Sequence, residues 1–350
     1  MHCVSPAIQL SYMKAVIFQK THKLSIQDIP IPKLDAGDVL IQMELCGICA
    51  SDIAALRGDV SDYDPPVVMG HEIAGIVVES RHKEVNVGEK VTVNPMLSCG
   101  VCIHCKNDQD KYCNSIEGIG HDIDGGYAEY LRMPKHGIDT GKLIQVPNSI
   151  PPEELLFLEP LGCCLNAMDE TIFQQTVAIL GAGPIGLMFT QLAKRKGLAT
   201  YVIEPLSHRR DAANAVGADA TYDPTPEKIE HLIDITQGGV DTVISATTNK
   251  AAVISLAYQV VRKGGCINFF GLAPEGEELN INLEEFHYMG HKLMASWAFS
   301  RANLEESRQL LLQKAINFKP LLTDRFTISQ GLEAFDNAVG QRGIKTVLHP

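Results

Sequence analysis

The sequence has few of the features that mark membrane or nucleic-acid-binding proteins. Its 350 residues carry 30 Lys and Arg against 42 Asp and Glu, a formal net charge of -12, whereas a phosphate-binding surface needs clustered basic side chains. The most apolar stretch, residues 176–193, is interrupted by Gly181, Gly183, Pro184 and Gly186. This punctuation is typical of a strand, a turn and a helix and excludes a membrane span. We therefore expect neither a nucleic acid nor a membrane as a partner.

The N-terminal residues also lack a basic region followed by an apolar block, so they do not resemble a secretory signal. The second methionine opens Met13-Lys-Ala-Val-Ile-Phe, which predicts a first strand, and residues 1–12 are interpreted as a flexible extension or an upstream start. The ten cysteines, without an export signal, indicate a reducing compartment. We expect a cytoplasmic protein.

Four of these cysteines share one short segment, and their spacing is the most informative pattern in the chain. The segment reads Cys99-Gly-Val-Cys102-Ile-His-Cys105 and is followed by Cys113. Four thiols at these spacings can close on one tetrahedral zinc ion from a single loop. Disulfides are the weaker interpretation, because a chain of this length builds a sizeable core without covalent links. The pattern predicts a structural zinc lobe at about residues 95–116.

The distribution of strand and turn signals predicts two domains. From Lys14 to about Val146, short β-rich segments alternate with Gly, Pro and Asp turns, which indicates a compact, partly barrel-like β domain. After Pro152, which marks a helix start, strands alternate with helical patterns up to about Ala295. Such alternation is typical of βαβ units on a doubly wound parallel sheet, an α/β fold.

The first strand of this α/β region leads into a glycine-rich turn. Gly181-Ala-Gly183-Pro-Ile185-Gly186 follows an apolar strand and opens a helix, the context that makes this motif a dinucleotide site. Gly181 permits the tight turn, Gly183 the approach of the pyrophosphate and Gly186 the packing of helix on strand. We expect these residues to hold the phosphates at the helix N-terminus.

An acid at the end of the next strand favours NAD over NADP. Glu204 lies where a carboxylate can accept hydrogen bonds from the ribose hydroxyls and repel a 2′-phosphate. A solvated acid at a strand end is the structural alternative. Arg209 and Arg210 follow closely, and either could neutralise a 2′-phosphate or stack on the adenine. We predict NAD as the cofactor, with Arg209 beside it.

Further motifs in the β-rich part give the chain a family resemblance. They are Gly47-Ile-Cys49-Ala-Ser51-Asp52, Gly70-His71-Glu72 and Glu159-Pro-Leu, and with the four-cysteine lobe and the glycine turn they stand in family order. The chain resembles the zinc-dependent medium-chain alcohol and polyol dehydrogenases, in particular the branch that includes sorbitol dehydrogenase. The resemblance covers essentially Met13 to the C-terminus.

This resemblance implies a Rossmann NAD-binding domain at residues 158–295 and a GroES-like catalytic domain at residues 1–157 and 296–350. It also implies a second, catalytic zinc, so that each chain would hold two. A catalytic zinc needs three protein ligands and an open position, here Cys49, His71 and a carboxylate. That carboxylate is either Glu72 or Glu159, and the choice between them stays open.

The resemblance assigns the neighbouring polar residues to proton transfer and ligand orientation. Ser51 would take the alcohol proton, and Asp52 would orient His71 through its second ring nitrogen. The histidine that many relatives use to pass the proton on is replaced by Ala54. Cys46 and Cys163 are interpreted as small apolar side chains rather than ligands. The single tryptophan, Trp297, is expected either to line the substrate pocket or to lie in the core.

The expected reaction is oxidation of a secondary hydroxyl of a polyol, sugar-derived or cyclitol substrate by hydride transfer to NAD. Threonine or a butanediol-type substrate remains an alternative within the family. A zinc-free NADPH quinone or enoyl reductase and a non-catalytic nucleotide-binding protein are alternatives of other classes. The resemblance further implies a homodimer or homotetramer built through the last strand of the NAD-binding domain.

Overall fold

The computed structural model describes residues 11–350, so residues 1–10, most of the predicted extension, lie outside the described part. The described chain divides into two units. The first contains the residues up to Glu159 together with Ser300–Gln313 and Leu322–Pro350, and the second contains Pro160–Phe299 and Lys314–Leu321. The division expected from the sequence, 158–295, differs by a few residues at each boundary and by the segment Lys314–Leu321.

The strands follow one another along both units in this order: β1 Tyr12–Lys20, β2 Lys23–Pro30, β3 Val39–Gly47, β4 Val67–Val68, β5 Glu72–Ser80, β6 Lys90–Val93, β7 Met96–Leu97, β8 Glu117–Gly118, β9 Tyr130–Met133, β10 Leu143–Val146, β11 Thr176–Leu180, β12 Ala199–Ile203, β13 Ala220–Tyr222, β14 Val240–Ser245, β15 Val261–Phe269, β16 Lys292–Ala295, β17 Leu322–Thr327 and β18 Lys345–His349.

The α-helices are α1 Ala50–Arg57, α2 Ile103–Lys106, α3 Lys135–Asp139, α4 Pro152–Leu155, α5 Leu158–Glu170, α6 Pro184–Arg195, α7 Ser207–Ala215, α8 Pro226–Ile235, α9 Ala251–Val260, α10 Leu283–Met289, α11 Arg301–Leu312 and α12 Gly331–Val339. Short 3₁₀ turns occupy Asp110–Tyr112 and Ile328–Gln330. Helix α4 begins with Pro152 in its first turn, as predicted.

The first unit is built on a mixed sheet with the strand order β10-β6-β5-β3-β18-β17, and β9 also pairs with β3. A second, three-stranded sheet has the order β2-β1-β4. Apolar side chains of both sheets, such as Ile41, Ile73 and Val16, share one core. Strands β3 and β5 run antiparallel until Gly47 lies opposite Glu72. This register brings the residues that follow β3 next to those that begin β5.

Helix α1 presents the segment that follows β3. Its first turn is closed by a capping box, in which the Asp52 carboxylate accepts the backbone N–H of Cys49 at 2.9 Å. The helix ends at Gly58, which adopts the left-handed conformation at φ 80°. Cys49, Ser51 and Asp52 are therefore held on one rigid turn.

The second unit is a six-stranded parallel sheet with the order β13-β12-β11-β14-β15-β16. Its central strands, β11 and β14, are buried over nearly their whole length, as expected of a sheet that is covered on both faces. From β11 the chain adds strands first on one side of the sheet (β12, β13) and then on the other (β14, β15, β16). Sheets of this kind bind ligands at this switch point, between β11 and β14. Strand β16 pairs with β15 alone. The structure thus has the predicted parallel α/β sheet.

Trp297 follows β16 and is 51% exposed. The core alternative for this residue is therefore wrong, because half of its surface remains accessible. Its carbonyl oxygen accepts a hydrogen bond from Nδ2 of Asn166 at 3.4 Å, which fixes the backbone here.

Candidate active site

The four cysteines of the predicted structural zinc lobe converge. The Sγ atoms of Cys99, Cys102, Cys105 and Cys113 all lie within 4.8 Å of one another. Cys105 Sγ lies 3.9 Å from Cys99 Sγ and 3.5 Å from Cys102 Sγ. A tetrahedral ion with Zn–S bonds of about 2.3 Å separates its sulfur ligands by roughly 3.8 Å, so this cluster fits zinc. Backbone N–H groups of Val101 and Cys102 and the side chain of Cys113 lower the pKa of Cys99 to about 6, which favours the thiolate.

A buried ion pair anchors the cysteine lobe. Asp110 accepts hydrogen bonds from Nζ of Lys142 and, at 3.0 Å, from Oγ of Ser98, which precedes Cys99. Both charged side chains are nearly inaccessible to solvent. Burial opposes the ionisation of Asp110, but the Lys142 and Ser98 contacts outweigh it and lower its pKa. The lobe is therefore held by a desolvated charge pair as well as by its thiols.

The second predicted metal centre lies at the ends of β3 and β5 in the same unit. His71 is buried, and its ring is in hydrogen-bonding contact with the thiol of Cys49. Burial alone would lower the pKa of His71, yet the charges of Asp52, Cys49 and Glu159 raise it well above its usual value. Several negatively charged groups therefore surround His71, which favours the binding of a divalent cation.

Asp52 lies beside His71 without hydrogen-bonding to it in this structure. Its Oδ1 is 3.8 Å from Nδ1 of His71, and Nδ1 is a buried nitrogen without a hydrogen-bond partner among the described residues. The structure therefore places the Asp52 carboxylate beside the ring nitrogen Nδ1 of His71, beyond hydrogen-bonding distance.

The two candidate carboxylate ligands differ in their surroundings. Glu72 is 2% exposed and accepts a hydrogen bond at 2.6 Å from Nζ of Lys345 on β18, which also donates to the carbonyl of Ile48 at 3.0 Å. Glu159, at the start of α5, acts electrostatically on His71. Within residues 11–350 only the four cysteines form a set of three or more ligand atoms within 4.8 Å. The structure thus pairs Glu72 with Lys345, while the charge of Glu159 acts on His71.

The structure also shows the surroundings of Ser51. The Ser51 hydroxyl is hydrogen-bonded to the phenol of Tyr63, whose ring stacks on His121 with centroids 4.0 Å apart. His121 in turn contacts His71, with ring centroids 5.4 Å apart. Neither Tyr63 nor His121 stands in a recognisable motif, so sequence analysis did not find them. Cys46 is 1% exposed and lies in the core, which confirms its apolar role, whereas Cys163 is half-buried.

The glycine turn of the second unit has the geometry of a dinucleotide site. Gly181 adopts φ 99°, a conformation that favours glycine. A Cβ on Gly186 would collide with the carbonyl oxygen of Gly181, so helix and turn pack as closely as predicted. Gly183 caps α6, and Ile185 lies half-buried in its first turn. The N-terminus of α6 is therefore available to a pyrophosphate.

Glu204 follows β12 as predicted and is buried against the glycine turn. Its carboxylate accepts hydrogen bonds from the backbone N–H of Ala182 at 2.8 Å and of Leu206 at 3.0 Å. Arg210 donates to the carbonyls of Glu204 and Pro205, both at 2.7 Å, so its guanidinium is committed to the backbone.

Arg209, unlike Arg210, points toward the glycine turn. Its Nη1 lies 3.9 Å from the position of a Cβ on Gly183. Burial lowers the pKa of Arg209, and the charge of Glu204 opposes this shift. Of the two arginines that the sequence left open, Arg209 is the one that borders the nucleotide turn.

Comparison with known proteins identifies the family to which the chain belongs. The family described as alcohol dehydrogenase GroES-like domain matches residues 35–147, and zinc-binding dehydrogenase matches residues 184–313. The chain is 31% identical over 347 residues to L-threonine 3-dehydrogenase of Pyrococcus horikoshii, covering 93% of this chain and 94% of the relative. The chain belongs to the zinc-type medium-chain alcohol dehydrogenase family. The resemblance inferred from its motifs is confirmed.

Two further relatives of this dehydrogenase carry informative names. Sorbitol dehydrogenase of Bacillus subtilis is 29% identical over 354 residues, with 97% of each chain covered. A zinc-binding dehydrogenase of Sinorhizobium meliloti, solved bound to NADP, has a TM-score of 0.87 at 29% identity and covers 97% of this chain and 100% of that one. The protein is an oxidoreductase that acts on CH–OH groups, with the predicted GroES-like and Rossmann folds.

Within residues 11–350, none of the helices combines the length and the apolar character that crossing a bilayer demands.

Proposed function

We propose that this dehydrogenase oxidises a secondary hydroxyl of a polyol, sugar-derived or cyclitol substrate to a ketone, with zinc and NAD. The observation that carries the proposal is the contact of the Cys49 thiol with the buried imidazole of His71, on which the charge of Glu159 also acts. One thiolate and one carboxylate among the ligands match the polyol branch to which the motifs point. The sorbitol dehydrogenase of Bacillus subtilis supports the same substrate class.

Cys49, His71 and Glu159 would hold the catalytic zinc, and the four cysteines of the lobe would hold the structural one. Bound zinc would act as a Lewis acid that lowers the pKa of the substrate hydroxyl. We assign the carboxylate ligand to Glu159 because Oε1 of Glu72 accepts a hydrogen bond from the ammonium group of Lys345, whose positive charge opposes a cation beside it.

The chain's own groups handle the proton. The Ser51 hydroxyl is held by Tyr63, whose own hydroxyl donates to Asp52 at 3.1 Å. Held in this way, the Ser51 oxygen can accept the proton that leaves the substrate. Burial, together with the charge of Asp52, raises the pKa of Tyr63 well above its usual value. Tyr63 therefore stays a neutral hydrogen-bond partner at working pH. Ala54 offers no onward relay, so the proton would leave Ser51 by water or a ribose hydroxyl.

The cofactor would be NAD, whose nicotinamide accepts the hydride. Glu204 carries a buried negative charge beside the glycine turn, where a 2′-phosphate would have to lie. Arg209 borders the same turn and is positioned to contact the adenosine half. Arg210 donates to backbone carbonyls, which leaves Arg209 as the arginine beside the turn, and the negative charge of Glu204 acts on it.

Replacing Glu204 by alanine should raise the KM for NAD by about tenfold or more, since a hydrogen bond to a charged group contributes about 1.5–3 kcal/mol. The KM for NADP should change less or fall. Initial rates with both cofactors measure the two constants. Glu230→Ala, an exposed acid on α8 of the same unit, is the matched control and should alter neither. A parent enzyme that already prefers NADP would contradict the assignment.

A substrate panel tests the reaction itself. NADH formation is followed with polyols, cyclitols and aldonates beside threonine and butanediols, and the highest kcat/KM should belong to a polyol or cyclitol. Preference for threonine would favour the activity named for the Pyrococcus relative. Reduction of activated double bonds with NADPH, together with only the structural zinc and no second metal ion, would favour the quinone or enoyl reductases, which use no catalytic zinc. Inactivity throughout would favour a nucleotide-binding role.

The same proposal includes a reducing, cytoplasmic location and a homodimer or homotetramer. Nine cysteines of the described residues are free thiols, and four of them must stay reduced to hold zinc. Strand β16 forms one edge of the parallel sheet, and such an edge can pair with a second copy of itself. Light scattering after gel filtration should give at least twice the chain mass, and a monomer would overturn the assembly.

A further inference from the structure

Asp52 has a fuller set of contacts than a carboxylate that only orients His71 would need. It is 0% exposed, and its Oδ2 accepts hydrogen bonds from the Cys49 N–H at 2.9 Å and from the Tyr127 hydroxyl at 2.6 Å. Its Oδ1 accepts the Tyr63 hydroxyl at 3.1 Å. A buried carboxylate is stable when its lone pairs are satisfied in this way. Two tyrosines thus fix the position of this group.

Tyr127 also contacts both segments that carry the proposed zinc ligands. Its hydroxyl lies 2.9 Å from the carbonyl oxygen of Gly47, two residues before Cys49. Its ring lies against Gly70, the residue before His71, because a Cβ on Gly70 would come within 2.6 Å of the ring carbon Cδ1. Gly70 adopts φ 99°. The same ring therefore touches the end of β3 and the turn that leads into β5.

The Tyr127 ring cannot move away from this position. It is 0% exposed and packs edge-on against Phe335 of α12, with centroids 5.7 Å apart. Burial, followed by the charge of Asp52, raises the pKa of Tyr127 well above its usual value, so the phenol remains a donor. Cys49 N–H and Tyr127 together hold Oδ2, which leaves Oδ1 as the oxygen that faces Nδ1 of His71.

We propose that Tyr127 is a positioning residue for the catalytic zinc, which aligns Asp52 with His71 and couples the Cys49 and His71 segments through one rigid ring. Tyr63 completes the clamp on the second carboxylate oxygen. The proposal rests on the proposed function, since it assumes that Cys49 and His71 bind zinc. Partners of metal-ligating histidines commonly change metal affinity by 10–100-fold when they are lost, and the loss of the Tyr127 hydroxyl should fall in this range.

The test compares Tyr127→Phe with Tyr130→Phe in the purified holoenzyme. The first substitution removes one hydroxyl and keeps the ring; the second does the same to a half-buried tyrosine on β9. Both proteins are dialysed against graded concentrations of a zinc chelator, and the zinc per chain is measured. The four-cysteine zinc serves as an internal reference for folding. Activity is then measured with and without added zinc.

Tyr127→Phe should lose one of its two zinc ions at chelator concentrations about 10–100-fold lower than the parent, and added zinc should restore its turnover. Tyr130→Phe should behave as the parent does. Tyr127→Phe that retains both ions as firmly as the parent, or loses both together, would overturn the positioning role. A parent that holds only the four-cysteine zinc would instead overturn the proposed function.

Tyr63→Phe keeps the inference testable if Tyr127→Phe fails to fold. It removes the other hydroxyl from Asp52 and leaves the Tyr127 packing untouched. We expect selective loss of the same zinc ion, with a smaller change in chelator sensitivity because the Tyr63 bond is longer. Unchanged zinc retention in Tyr63→Phe, with Tyr127→Phe unfolded, would count against the clamp.

Discussion

Replacing Cys49 by serine should lower turnover by about 10³-fold or more and reduce the zinc content from two ions per chain to one. A Lewis acid supplies several kcal/mol of stabilisation to the developing charge, and about 4 kcal/mol corresponds to a factor of 10³. Serine is a poor zinc ligand at neutral pH, since its hydroxyl stays protonated. Steady-state kinetics and elemental analysis of the same preparation measure both effects.

NADH binding separates loss of the metal from loss of the fold. The glycine turn and Glu204 belong to the second unit, whereas Cys49 belongs to the first. Cys49→Ser should therefore bind NADH as tightly as the parent in a fluorescence titration. Cys163→Ser is the matched control, because this half-buried thiol lies outside the proposed ligand set, and it should retain both zinc ions. Parental turnover in Cys49→Ser would end the catalytic-zinc proposal.

Much of the site follows from local sequence, because the chemistry of each motif is confined to a few neighbouring residues. The four cysteines lie within fifteen positions, and their loop closes as their spacing predicts. The glycine turn likewise needs only one strand and one helix, and Gly181 and Gly186 meet as expected. Asp52 lies near His71 because the β3–β5 register places their segments side by side.

The contacts that the sequence could not predict join residues distant in the chain. Lys345 meets Glu72 across 273 positions and Tyr127 meets Asp52 across 75. No periodicity or motif encodes such pairs; they appear only when β18 and the loop before β9 are placed in three dimensions. The pairing of Glu72 could not be predicted for the same reason, since its partner Lys345 lies on the last strand.

The directions in which side chains point could not be predicted from the sequence either. Arg209 and Arg210 are adjacent, yet one faces the glycine turn and the other the backbone of Glu204 and Pro205. Adjacent helical residues point about 100° apart, so a phosphate-binding role could not be given to either from position alone. Trp297 is a similar case, because its half-exposed side chain follows from where β16 ends.

Lys345→Met should destabilise the protein by about 3–5 kcal/mol, because it leaves the Glu72 carboxylate buried without its counter-charge. Lys345 is 4% exposed and Glu72 is 2% exposed, so water cannot replace the lost partner. Gly47 adds to the constraint, since a Cβ at that position would collide with the Glu72 carboxylate. The free energy of unfolding in urea measures the cost, and Lys345→Arg, which keeps the charge, should lose less.

Removing both charges distinguishes the pair from simple packing. Lys345→Met combined with Glu72→Gln should be more stable than Lys345→Met alone, because the second substitution removes the uncompensated charge. Additive losses would show that the two side chains act independently. A cost below about 1 kcal/mol for Lys345→Met would place the pair in the range of solvent-screened surface bridges.

The pH dependence of this effect has a defined sign. Burial alone would lower the pKa of Lys345, but the charge of Glu72, followed by those of Cys49 and Asp52, raises it above the ordinary 10.5. A group whose pKa is raised in the folded state stabilises fully below its unfolded pKa and loses that contribution as the pH rises through the folded value. The stability difference between the parent and the double variant Lys345→Met/Glu72→Gln, which carries neither charge, should therefore stay constant from about pH 6 to pH 9 and shrink only above about pH 10.5. A difference that fell between pH 6 and pH 9 would mean that Lys345 titrates there, which a lysine held by Glu72 would not do.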